Sequence, residues 1–479
     1  MSYLDSPAGM DPGRIVIISA SVGAGHDGAA AELARRLHDA GHTVDRHDFL
    51  DLLPARIGKA ICAGYHQLLT LVPSGYQRIY ALTERRSQLS PGVRAVLRSA
   101  ERRTLRALPP DTRVVVSTYF GASQVLGALR RSGRLDVPVF TYLTDFSVHP
   151  LWVADGIDVH LAAHAVPAGQ ARTLGATGVA ETGPVVNPRF TPATERERQA
   201  ARVRFGLPQD APLALLVAGS WGVGPVEQAA FEIRDSGTAV PVVVCGRNTA
   251  LAERLRASGI EYAFGWVDDM PALMHAADAL VQNAGGLSAL EAFASGLPVA
   301  SYGCIPGHGR TNAAALDEAG LAVWIRTPEQ LKPVLTELLD GARGHAQREA
   351  ALDLFTTGPG VGPVAAVLQA MDGRMPAGTA DEVGEAKPLI PIPRTAPDES
   401  PSHQFPFREF PFHEAPYTSA ETAGGTGTAA PVKIRRPSRF RAVLAIAATL
   451  FATWWVVPDA AEAAVAHRGY TFIHAALTR

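Results

Sequence analysis

Twice along the chain a continuous run of aliphatic residues leads straight into a glycine turn and then into a helical pattern. The first instance is Ile15-Val16-Ile17-Ile18, then Ser19-Ala20-Ser21-Val22-Gly23-Ala24-Gly25-His26, then a helical spacing through Leu33 and Leu37 that stops at Gly41. The second is Leu213-Ala214-Leu215-Leu216-Val217, followed by Gly219-Ser220-Trp221-Gly222-Val223-Gly224-Pro225. A strand without polar alternation is buried on both faces, and one that feeds a helix through a short glycine loop belongs to a parallel sheet. Further runs of the same kind follow each opening unit, at 113–117, 137–143 and 158–162, and at 240–244, 279–281, 298–301 and 321–325. The chain is therefore expected to be α/β, with two doubly wound, Rossmann-like sheets.

A length of 479 residues accommodates two to three domains. The first is expected over 1–187 and the second over 188–372, joined where Pro188, Pro192 and a charged run mark an exposed connection. Ligands should sit in the cleft between them, at the carboxyl ends of the strands. The composition then changes: 373–437 holds 11 prolines without periodicity, so 373–440 reads as a disordered linker. Lys433, Arg435, Arg436, Arg439 and Arg441 precede the charge-free stretch 442–457, which carries Trp454-Trp455 near its far end. A transmembrane or membrane-inserted helix is expected over 441–458, with a tail at 459–479; a core helix of a small C-terminal unit is the other reading.

With 44 basic against 46 acidic residues there is no bulk electrostatic case for a nucleic-acid partner. Cys62, Cys245 and Cys304 lack the spacing of zinc ligands or of a disulfide framework, and the N-terminus lacks a basic-then-apolar leader. Catalytic domains in the cytoplasm are the expectation. The stretch 56–106 mixes Tyr65, Leu68, Leu69, Leu71, Val72, Tyr76 and Tyr80 with Arg78, Arg85, Arg86, Arg94, Arg98, Arg102 and Arg103. It reads either as a contact with an anionic membrane surface or as a helical hairpin packed on the first domain with a solvated basic face.

Chemistry-bearing residues gather at the expected strand ends. Gly23 and Gly25 allow close backbone approach of an anion to a helix N-terminus, and His26 in the same loop can take a proton near neutral pH; the other reading is that the glycines serve a tight turn and His26 is an incidental surface residue. Asp145 and His149, in Thr144-Asp145-Phe146-Ser147-Val148-His149, follow a buried strand; they can orient an acceptor hydroxyl, support His26, or serve as a helix cap and a surface histidine. Gly219 and Ser220 repeat the phosphate-cradle pattern. Gly285-Gly286 opens a helix whose first turns carry Ser288 and Glu291, suited to a diphosphate and a ribose diol, or equally to a Ser-x-x-Glu capping box.

Taken in order, Ser-x-Gly-x-Gly-His, Thr-Asp-Phe-x-x-His-x-x-Trp, Gly-x-Gly-Pro-Val-Glu-Gln, Val-Cys-Gly-Arg-Asn, Ala-Gly-Gly-x-x-x-x-Glu-Ala and Gly-Leu-Pro with Ile-Pro-Gly and Asn312 cover about residues 14–371. The set resembles the monogalactosyldiacylglycerol synthase and bacterial diacylglycerol glucosyltransferase family, and more distantly the N-acetylglucosaminyltransferase of lipid-linked peptidoglycan precursor. The resemblance implies a GT-B fold and a membrane-associated, inverting transfer of a hexose from a UDP-sugar to a lipid acceptor, diacylglycerol first among candidates. A polyprenyl-linked or other acceptor, or a degenerate sugar-nucleotide binder, are the alternatives. It implies no bound metal and no cofactor. By similarity His26 is the general base, with Asp145 and His149 close by. The nucleotide-sugar falls to Gly23, Gly25, Gly219, Ser220, Arg247, Gly285, Gly286, Ser288, Glu291, His308 and Asn312. Three positions depart from the family pattern: His308-Gly309 replaces the usual Gln and Glu, and Asn283 replaces a Lys. The donor sugar is therefore left open between glucose and galactose.

Overall fold

The computed structural model describes residues 13–374 apart from 55, 86–88, 90 and 357–361. The linker beyond 374, the apolar segment 441–458 and the tail 459–479 lie outside the described residues. Among the described residues no helix is long and apolar enough to cross a membrane.

Six strands, β1 (Arg14–Ser19), β2 (Thr43–Asp48), β3 (Thr112–Ser117), β4 (Val139–Tyr142), β5 (Val159–Ala162) and β6 (Val179–Glu181), form a first sheet in the order β2-β1-β3-β4-β5-β6. Six more, β7 (Leu213–Val217), β8 (Val240–Val244), β9 (Tyr262–Phe264), β10 (Ala279–Gln282), β11 (Val299–Ser301) and β12 (Val323–Trp324), form a second in the order β12-β11-β10-β7-β8-β9. Every pairing is parallel, as in Val16↔Val115 and Leu215↔Val242. Helices cover both faces, which is why Ile15, Val16, Ile17 and Ile18 are all wholly buried. Each such side chain contributes roughly 1.5–3 kcal/mol on burial, so the β1 run is a firm anchor for the loop that follows it. The edge strands β2 and β9 had no apolar run to announce them. Thr43-Val-Asp-Arg-His-Asp48 is partly exposed throughout, as an edge strand can be.

The strand orders fix where ligands go. In the first sheet the order reverses between β1 and β3, and in the second between β7 and β10, so a crevice opens beyond the carboxyl ends at those two points. The loops there are Ala20–Gly23 after β1, Thr118–Tyr119 after β3, Ala218–Pro225 after β7 and Asn283–Gly286 after β10. The glycine loops read from the sequence are thus the loops at the two switch points.

Two features depart from a simple pair of successive domains. The segment 56–106 forms three helices, Ile57–Leu71, Pro73–Arg85 and Pro91–Ala107. The third buries Ala100 and Thr104 and turns Arg98, Arg102, Arg103 and Arg106 to solvent. The first two form a hairpin that does not stay on the first unit: Leu69 packs with Val223 and Ile305 of the second, flanked by Tyr65, Tyr76 and Trp221. The helix Pro363–Met371, grouped in sequence with the second unit, packs on the first sheet. Its Ala366 and Val367 are wholly buried beside Ile15, Ile17, Val116 and Phe140, and Arg113 donates to the Met371 carbonyl at 3.0 Å.

Candidate functional site

The two sheets face a cavity of about 810 Å³. Gly23, Gly25, His26, Asp145 and His149 line it from the first unit, and Gly219, Ser220, Gly285, Gly286, Ser288, Glu291 and His308 from the second. Three helices start at its wall: Ala24–Asp39 after Gly23, Leu287–Ala294 after Gly286, and His308–Glu318 after Gly307. Each has a glycine at the N-cap and no side-chain cap. With no side-chain cap, N–H groups at the start of each helix face the wall, and each macrodipole adds roughly half a positive charge there. An anionic ligand is favoured without any lysine in the loops. Close approach of these elements needs glycine at Gly285, where φ is +74° and a Cβ would lie 2.6 Å from the Asn312 side chain.

His26 is held from one side only. Its Nδ1 lies 2.9 Å from the Thr118 carbonyl and 2.9 Å from Thr144 Oγ1. A carbonyl oxygen can only accept, so Nδ1 carries the proton and Nε2 keeps the lone pair. Tyr119 and Trp152 flank the ring at centroid distances of 5.4 and 5.9 Å. A neutral imidazole fixed in this tautomer is set up to accept a proton at Nε2.

Asp145 does not hold His26. One of its oxygens accepts from Trp152 Nε1 at 3.2 Å and the other faces Asn312 Nδ2 at 3.5 Å. The sequence expectation that Asp145 or His149 supports His26 is thus corrected: Thr118 and Thr144 do so. Both ring nitrogens of His149 are engaged as well. Nδ1 accepts from the Leu151 N–H at 3.2 Å, capping a short 3-10 helix, and Nε2 meets Thr83 Oγ1 at 3.0 Å. The Thr83 hydroxyl reaches the Tyr80 carbonyl at 2.8 Å, so Nε2–H donates to it. Burial brings the His149 pKa down to about 4, and the ring stays neutral as a fixed part of the wall.

In the second unit the capping-box reading of Ser288 and Glu291 fails, because the N-cap is Gly286 and Ser288 lies inside the helix. Both side chains are left to the cleft. Burial pushes the Glu291 pKa up to about 8, the mark of a carboxylate short of hydrogen-bond donors. Arg247 and Asn312 do not line the cavity. Arg247 is exposed, with its guanidinium 5.2 Å above the Trp266 ring at the rim. Asn312 is wholly buried: its Oδ1 accepts from the Ser147 N–H at 2.7 Å and its Nδ2 donates to the Ala284 carbonyl at 2.9 Å. It joins the two units rather than facing a ligand.

Sequence reasoning missed the apolar half of the cavity, built from Ile61, Tyr65, Leu69, Tyr76, Ile79, Tyr80, Tyr119, Phe120 and Trp152. Its signal was the aromatic density of 56–106, which periodicity alone cannot assign to a cavity. Thr118 and Thr144 were signalled only by their place at strand ends.

Residues 26–186 match the family model described as monogalactosyldiacylglycerol (MGDG) synthase. The family resemblance carried by the motifs holds. A processive diacylglycerol beta-glucosyltransferase of Bacillus subtilis (strain 168) is 30% identical over 237 residues, which is 47% of this chain and 60% of that protein. One of the same name from Bacillus cytotoxicus is 25% identical over 366 residues, 71% of this chain and 89% of its own. The chain thus spans about 60% of the Bacillus subtilis relative. The crystal structure of MurG from Acinetobacter baumannii covers 75% of this chain and 99% of its own at 16% identity and a TM-score of 0.44.

Proposed function

We propose that the protein is an inverting glycosyltransferase that moves a hexose from a UDP-sugar to the hydroxyl of a lipid acceptor, diacylglycerol. The observation that carries this reading is the His26 ring, with Nδ1 committed to a carbonyl and Nε2 left as a base in a cavity that pairs an anion-binding wall with an apolar one. The names of the relatives above supply the acceptor class.

In this reading the UDP diphosphate lies on the Gly219-Ser220 loop and on Gly285, Gly286 and Ser288 at the start of the helix Leu287–Ala294. Glu291 takes the ribose hydroxyls. The acceptor hydroxyl enters along the aromatic half of the cavity. Its oxygen attacks the anomeric carbon as the bond from that carbon to the β-phosphate oxygen breaks, and its proton passes to His26 Nε2. The charge that develops on departing UDP meets oriented N–H groups already in place, which need no reorganisation. One displacement inverts the anomeric configuration.

The same proposal places the catalytic units on the cytoplasmic side of an anionic membrane. The exposed arginines of the helix Pro91–Ala107 and the exposed tip at Leu71 and Val72 suit such a surface.

The test is UDP release by the full chain with diacylglycerol micelles and UDP-glucose, UDP-galactose or UDP-N-acetylglucosamine, in wild type and His26→Ala. Turnover with one donor, reduced about 10²–10⁴-fold in the variant, is expected for loss of a positioned base. UDP binding without release by wild type under any of these donors overturns the transferase reading.

A further inference from the structure

The helix Pro73–Arg85 precedes β3 of the first unit, yet three of its side chains bond the second. The Tyr76 hydroxyl lies 3.1 Å from His308 Nδ1, Gln77 Oε1 accepts from the Gly307 N–H at 2.7 Å, and the Tyr80 hydroxyl lies 3.1 Å from Thr311 Oγ1. Three residues of one helix therefore hold the turn that opens the helix His308–Glu318. The approach tolerates only glycine at the turn: Gly307 has φ +68°, and a Cβ there would lie 2.7 Å from the Tyr76 ring and 2.9 Å from that of Tyr80.

We propose that Tyr76 is a positioning residue that fixes His308 against the donor hexose, so that both units complete the sugar-reading subsite. This rests on the UDP-hexose reading above. With the diphosphate on the second-unit loops and the anomeric carbon within reach of His26, the hexose ring occupies the space between His26 and His308, which line the same cavity. The Tyr76 hydroxyl engages Nδ1 and stops rotation of the imidazole, leaving Nε2 as the nitrogen for a sugar hydroxyl. Burial favours the neutral form of both groups, so the pair acts through hydrogen-bond geometry rather than charge. A neutral imidazole in one orientation offers a single donor or acceptor at a fixed place, and hydroxyl configuration is read by such a group. UDP without a sugar is held by the second-unit loops and does not meet the pair.

The experiment measures dissociation constants of UDP, UDP-glucose and UDP-galactose by calorimetry on the full chain, for wild type, Tyr76→Phe, His308→Ala and the double variant. Phenylalanine keeps the ring packed and removes only the hydroxyl. Tyr76→Phe should leave UDP affinity within about twofold, weaken the better-bound UDP-hexose about five- to tenfold and narrow the preference between the two hexoses. In the His308→Ala background the same change should have no further effect, the signature of residues acting through one another. Equal weakening of UDP and UDP-hexose, an undiminished Tyr76→Phe effect in the His308→Ala background, or unchanged hexose preference each overturns the proposal. Wild type that binds neither UDP nor a UDP-hexose refutes the UDP-sugar reading itself, and this proposal with it.

Discussion

Replacing Glu291 with Gln should stabilise the ligand-free protein and weaken its hold on UDP, both with a defined pH dependence. Burial moves the Glu291 carboxyl from 4.5 to about 8 in the folded chain. A carboxyl raised on folding opposes folding once it must ionise. The penalty is absent below the unfolded pKa, grows between about 4.5 and 8, and is constant above. At pH 7 it amounts to about 3 kcal/mol at most, since the group keeps some contact with solvent. Glutamine has the same shape and no charge to desolvate. Thermal unfolding of the two proteins at pH 5, 6, 7 and 8 should therefore show a small gap at pH 5 that widens in favour of Glu291→Gln up to pH 8. Nucleotide binding should run the other way. Ribose hydroxyls donate to the ionised carboxylate, so wild-type UDP affinity should rise over the same range, while Glu291→Gln should bind about tenfold or more weakly. The UDP phosphates titrate alike in both titrations, so the difference between the two slopes reports Glu291. A stability gap that does not change with pH, or equal slopes for the two proteins, would show that the carboxylate is not desolvated in the cleft and would refute the reasoning.

Thr144→Val removes the hydroxyl beside His26 Nδ1 and leaves the Thr118 carbonyl in place. A fall in kcat of about two- to tenfold with unchanged UDP affinity is expected, read by UDP release and calorimetry. Asn312→Ala deletes the buried amide that joins Ser147 to Ala284. It should destabilise the chain by about 2–4 kcal/mol in chemical denaturation, because two backbone groups lose their partners.

The strands that carried continuous apolar runs were legible because burial on both faces leaves no other composition, and the glycine loops marked the switch points for the same reason. The edge strand β2 was not legible, since its Asp, Arg and His side chains belong to a half-exposed position that looks like a loop in sequence. At the site, twelve of the residues singled out line one cavity. What failed was the assignment of partners. Thr144 rather than its neighbour Asp145 reaches His26, and a one-residue difference in which side chain faces inward follows from strand pleat and loop path, not from residue type. Asn312 illustrates the opposite confusion. A polar residue in a ligand-binding motif and one that pins two backbones together carry the same letter, and only its wholly buried, doubly bonded amide separates them. The hairpin of 56–85 could not be placed because its partners lie more than 200 residues away, at Gly307, His308 and Thr311.

The helix Pro363–Met371 on the first sheet makes that unit a discontinuous one. In the construction of the chain, the second unit is an insertion between two pieces of the first, like a clause set within a sentence. A fragment ending near residue 187 would keep all six strands of its sheet but lose the cover over Ile15, Ile17, Val116 and Phe140. Such a fragment would bare part of an aliphatic face and aggregate, so that the first half of the cleft cannot be made, inherited or exchanged without the helix that follows the second.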